Sequence, residues 1–89
     1  LNWSLLQAGK EFQRHYHENM QEVFVIIAGQ VEVRVESGER RVQETLSAGD
    51  AIIVDAGEVH SMRNPGTDDV TYLVFGIAGS ETGKTVVVD

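Results

Sequence analysis

The sequence predicts an all-β chain folded into a sandwich or barrel, and three observations carry that prediction. Short runs of β-branched residues are separated by glycines. Turn signals recur at roughly the eight-to-twelve-residue spacing of antiparallel β proteins. No segment carries a convincing apolar stripe of helical period, although residues 39–46 can be argued as a helix.

The clearest element is 31–36, Val-Glu-Val-Arg-Val-Glu, whose strict alternation marks a strand with one buried face. Ser37-Gly38-Glu39 follows as a turn. Residues 22–28 are apolar on both faces and end at Gly29-Gln30, and 51–54 form a second apolar run between Gly49-Asp50 and Asp55-Ala56-Gly57. Residues 59–64 lead into Asn64-Pro65-Gly66, a turn containing the only proline. Residues 70–77 read as a long strand and 86–88 as an edge strand, with a polar, loop-like 78–84 between them. Residues 12–17, Phe-Gln-Arg-His-Tyr-His, alternate less cleanly and read as a strand beside these neighbours.

An 89-residue chain is expected to form a single domain over 1–89 with a thin core. Cysteine is absent, which excludes disulfides and thiolate metal sites and leaves a metal ion or a partner subunit as outside support. The formal net charge of -7 disfavours a nucleic-acid partner, since phosphate backbones would be repelled. No apolar run approaches the ~20 residues of a membrane helix, and Leu-Asn-Trp-Ser at the start lacks the blocks of a signal peptide. The expected location is the cytoplasm. Neither a Ser/His/Asp or Cys/His nucleophile set nor a phosphate loop is visible.

The three histidines fall into one pattern. His15 and His17, two apart on a strand, share a face at about 7 Å backbone separation, from which two ring nitrogens can converge on one ion. Glu22 opens the next strand and can fold back to the same face, and a later strand can return His60 to it. Three imidazoles and a carboxylate suit Mn, Fe, Co, Ni, Cu or Zn better than Ca or Mg. A His-x-His alone is weak evidence, so the frame around it decides.

That frame is two spaced motifs. The first reads Gly9, five residues, His15-x-His17, four residues, Glu22, six residues, Gly29. The second reads Gly49, five residues, Asp55-x-Gly57, two residues, His60, three residues, Asn64, with nineteen residues between the motifs. Together they resemble the two conserved motifs of the cupin superfamily, in its small single-domain microbial form. One departure is Asp55, where the family usually has proline. The resemblance implies a double-stranded β-helix, or jelly-roll, barrel. It also implies one divalent transition-metal ion on His15, His17, Glu22 and His60, with a coordination position left open. Replacing proline by Asp55 removes a rigid φ from the turn before His60 and so questions the stiffness of that loop.

Strand parity adds expectations about a small-molecule pocket: Gln13 on the face of His15 and His17, Phe24 and Ile26 on the face of Glu22, and Met62 on that of His60. Phe24, Ile26 and Met62 are equally explained as core, and Gln13 as a solvated strand residue. The functional expectation is a metal-dependent oxygenase, isomerase, decarboxylase or lyase acting on a small polar molecule. The alternative is a non-catalytic, metal-dependent binding or sensor module, and a metal-free structural barrel is weaker still. If Glu22 faces inward, Val23, Val25 and Ile27 face outward, which predicts a homodimer burying that stripe with help from a terminal strand.

Overall fold

The computed structural model describes residues 2–18, 20–78 and 85–88, and every regular element among them is a strand. In chain order these are β1 (Asn2–Leu6), β2 (His15–His17), β3 (Met20–Ala28), β4 (Gln30–Ser37), β5 (Arg40–Ser47), β6 (Ala51–Val54), β7 (Val59–Arg63), β8 (Val70–Ala78) and β9 (Thr85–Val87). They form a four-stranded sheet, β1-β8-β3-β6, and a five-stranded sheet, β5-β4-β7-β2-β9. All pairings are antiparallel. Two sheets packed face to face on alternating strands are the jelly-roll solution to closing a short antiparallel chain.

The core lies between the sheets and follows from the period-two pattern. Val31 and Val33 of β4 are buried, whereas Arg34 is exposed. Phe24, Ile26, Leu46, Val54, Met62, Val70 and Tyr72 complete most of the cluster. Gly29 ends β3 with φ +91°, where a side chain is already strained. A Cβ there would also stand 2.9 Å from Val70 Cγ2 and 3.0 Å from the Asp69 carbonyl. Buried Asn64 staples the end of β7: its Nδ2 donates to the Leu6 and Asp68 carbonyls at 3.0 and 2.7 Å, and its Oδ1 accepts from the Gly66 amide at 3.1 Å.

The all-β expectation holds, and three details differ from the sequence pattern. Residues 40–46 belong to strand β5, paired with β4 from Ser37↔Arg40 to Gln30↔Ser47, with Glu39 in the turn before it, so the hairpin register overrides the weak helical pattern. Residues 2–6, unassigned from sequence, form β1 against β8. Of 12–17, only His15–His17 is a strand.

The outward stripe of β3 is also less bare than its sequence suggests. Val23 is buried, Val25 half-buried and only Ile27 exposed. Val23 lies between Phe75 and Ile53 in register, which cover it within its own sheet. Both terminal strands pair in the plane of a sheet, β1 with β8 and β9 with β2, so neither lies across this face.

Candidate metal centre

Three strands deliver the four residues to one place. His15 and His60 are register partners on β2 and β7. His17 is two residues further along β2 on the same face. Glu22 is on β3 of the opposite sheet, pointing inward between Val54 and Gly76. One donor atom from each of His15, His17, Glu22 and His60 lies within 4.8 Å of the others. His60 Nε2 is 2.8 Å from Glu22 Oε1, His17 Nε2 is 3.1 Å from Oε2, and His15 Nε2 is 3.9 Å from Oε1. Neighbouring ligands of an ion bound at about 2.1 Å stand roughly 3 Å apart, so the cluster has the size of a coordination sphere.

Backbone carbonyls set two of the rings. His15 Nδ1–H donates to the Gln13 carbonyl at 2.8 Å and His60 Nδ1–H to that of Glu58 at 3.2 Å. With Nδ1 committed, the neutral rings present bare Nε2 lone pairs to the Glu22 carboxylate. Acceptors facing acceptors at 2.8 Å call for a cation between them, a proton or a metal ion. A ligating histidine ordinarily anchors its second nitrogen in this way. The residues present therefore fit a divalent metal.

The electrostatics agree. Burial lowers the His15 pKa below 6.5, with the His60 and His17 charges acting the same way against the raising effect of the Gln13 hydrogen bond. Burial alone would raise the Glu22 pKa, but the hydrogen bond to His60 and the charge of His17 outweigh it and hold the carboxyl below 4.5. The cluster thus favours bare imidazole at His15 and ionised carboxylate at Glu22, the forms that ligate.

The pocket residues read from parity divide. Phe24 is buried with its ring 5.5 Å from that of His60. Ile26 and Met62 are each 1% exposed and lie in the core cluster below the site. Gln13 departs from the expected parity. Its side chain is exposed and lines a surface cavity of about 460 Å³ with Arg14, Arg34 and Ser61. The cause is Phe12, which also turns inward, with its ring 5.3 Å from His15 and 6.1 Å from His60. Phe12 and His15 are three apart, so alternation fails between them and Gln13 is turned out.

Phe12 was invisible to sequence reasoning for that reason. Tyr72 was missed too, although parity from Val70 places it inside. It is buried, 6.0 Å from the Phe24 ring, and hydrogen-bonded to Ser4. Burial raises its pKa above 10 and the Glu22 charge adds to the effect, so its hydroxyl keeps its proton at neutral pH. A cavity of about 420 Å³ opens between β5 and β6, lined by Val35, Val42, Glu44, Ile52 and Glu58. It lies one register position from His60 and Phe24 but includes none of the four donors.

The family model for the cupin domain matches residues 2–76. TT1209 from Thermus thermophilus is 30% identical, with TM-score 0.75, over 85% of this chain and 69% of that one. CENP-C of Drosophila melanogaster, solved bound to CAL1, is 16% identical with TM-score 0.80 over 84% of this chain and 62% of that one. An oxalate oxidase is 18% identical with TM-score 0.80 over 85% of this chain and 40% of that one. The chain thus spans less than two thirds of the length of these last two, and with them it shares the fold alone. No curated protein matches the sequence.

Proposed function

The chain belongs to the cupin domain family, and from that premise we propose a mononuclear metal centre on His15, His17, Glu22 and His60 that acts on a small polar molecule. The supporting observation is the converged donor set, with Nδ1 of His15 and of His60 tied to carbonyls and every Nε2 turned toward Glu22. One transition-metal ion among Mn, Fe, Co, Ni, Cu and Zn suits this set. When bound, it supplies Lewis acidity and a template for substrate oxygen atoms. The chain's own residues do the rest. The four donors fix the ion, the Phe12 and Phe24 rings flank the imidazoles, and Tyr72 offers a protonated hydroxyl within the same interior. The reaction class is an oxygenase, isomerase, decarboxylase or lyase.

A second reading is a non-catalytic, metal-dependent binding or sensor module. One observation favours it: among the described residues, the clustered imidazoles and carboxylate at the site are the four donors themselves, which ligation would occupy. A panel of small hydroxy- and keto-acids and sugars, assayed with and without metal, separates the two. Metal-dependent turnover supports the enzyme. Saturable, metal-dependent binding without turnover supports the module.

We also propose a homodimer through the outer face of the four-stranded sheet. Trp3, Leu5, Ile53 and Ile77 are 68, 57, 61 and 52% exposed there. They adjoin Leu73, Phe75 and Val25 in register. These side chains expose on the order of several hundred Å² of apolar surface, against about 800 Å² per partner in a standard interface. A second copy is the favoured occupant, because a chain of net charge -7 meets its own kind without like-charge contact only on an uncharged face. Ile53→Glu should convert a dimer to a monomer in light scattering with the fold intact. A parent chain monomeric at micromolar concentration contradicts it.

A further inference from the structure

Three of the four donors are tied to one turn. The Gly57 amide donates to the His17 carbonyl at 2.7 Å. The Glu58 carbonyl accepts from His60 Nδ1 at 3.2 Å. Asp55 Oδ1 accepts from Gln21 Nε2 at 2.7 Å, and Gln21 directly precedes Glu22. The turn is closed on itself by a reciprocal pair: the Asp55 amide donates to Glu58 Oε1 at 2.7 Å and the Glu58 amide to the Asp55 carbonyl at 3.1 Å. Gly57 completes it at φ +82°.

We propose that this turn, residues 55–58, is a brace that fixes His17, Glu22 and His60 relative to one another, with Asp55 as its positioning residue. The proposal rests on the metal reading given above. Its core is the departure at position 55. A proline there would stiffen the turn through its ring, but it has neither an amide to donate to Glu58 nor a carboxylate to receive Gln21. Asp55 supplies both. In this chain the turn before the last donor is held by hydrogen bonds, and one of them reaches the connection that carries Glu22. The brace therefore links the β6–β7 turn to the β2–β3 turn, a link a proline could not make. Asp55 and Gln21 are both exposed, so their bond adds little to global stability. Its effect is on ligand placement, where outer partners of metal-binding side chains commonly change affinity 10–100-fold.

The test uses Co(II) as the probe, with its ligand-field spectrum and its release to a chelator as readouts that a purely structural role would not move. Gln21→Leu and Asp55→Ala should each speed Co(II) release about tenfold or more and perturb the spectrum, while the metal-free melting temperature stays near that of the parent. Asp55→Pro, which can make neither hydrogen bond, should release Co(II) as fast as Asp55→Ala. Gln21→Leu should then add nothing on that background, because its partner is gone. Parent-like release from Gln21→Leu and Asp55→Ala, or effects that add independently of position 55, overturn the brace and leave the metal reading standing. A parent chain that takes up no Co(II) overturns both.

Discussion

The interior of this barrel has two halves built by the same strands. Along β3, Glu22 belongs to the polar cluster and Ile26, four residues on, to close-packed core; along β7, His60 and Met62 divide in the same way. Phe24 and Phe12 lie at the boundary, stacked on each other with ring centroids 6.1 Å apart. The apolar half gathers Ile26, Val31, Val33, Leu46, Met62 and Val70. The other gathers three imidazoles and a carboxylate whose lone pairs face one another. The two halves divide the labour: one supplies folding energy, and the other holds an arrangement that is favourable only around a cation. Substitutions in the two halves should therefore fail in different ways.

The largest effect is expected in the apolar half. Met62→Ala removes a fully buried side chain and should cost about 2–5 kcal/mol in urea unfolding, while the folded fraction keeps its metal stoichiometry. A loss of metal without a loss of stability would erase the boundary between the halves. Asn64→Ala should cost about 1–3 kcal/mol by the same measurement, because the Leu6 and Asp68 carbonyls lose their donor.

The polar half should answer to pH instead. His15 titrates below 6.5 in the fold, so between 6.5 and its folded value the unfolded chain binds a proton that the native chain does not. Metal-free stability should accordingly fall as pH drops below about 6.5. Glu22, held below 4.5, acts in the same direction and extends the loss to lower pH. Metal affinity should fall over the same range, since protons compete for the Nε2 atoms. Affinity that stays flat from neutral pH to about 4.5 would contradict imidazole ligation. The smallest effect is expected outside both halves. Arg14→Ala breaks a partly exposed ion pair with Glu36 and should change stability by less than about 1 kcal/mol and metal content not at all.

What was legible in the sequence follows the same boundary. Period-two alternation exposed β4 directly, and the fixed spacing of two motifs named the four clustered residues before any coordinates. The failures have local causes. Arg40–Ser47 carries an ambiguous pattern, because β5 is a sheet-edge strand with several exposed positions and only hairpin register decides it. Asn2–Leu6 has Trp3 and Leu5 facing outward, so its pattern does not mark a buried face. Gln13 was misplaced because parity holds only within continuous strand, and residues 12–14 lie outside any strand. The stiffness lost with proline at position 55 is recovered through Gln21 and Glu58, side-chain partners that no spacing rule reveals.

The central claim is that His15, His17, Glu22 and His60 hold one metal ion without being needed for the fold. Elemental analysis of the purified parent and of His17→Ala, with circular dichroism on the same samples, tests it most directly. The parent chain should carry about one transition-metal ion, and His17→Ala should show strongly reduced metal with an unchanged β-sheet spectrum. Full metal content in His17→Ala, or a reconstituted parent that binds none, would contradict it.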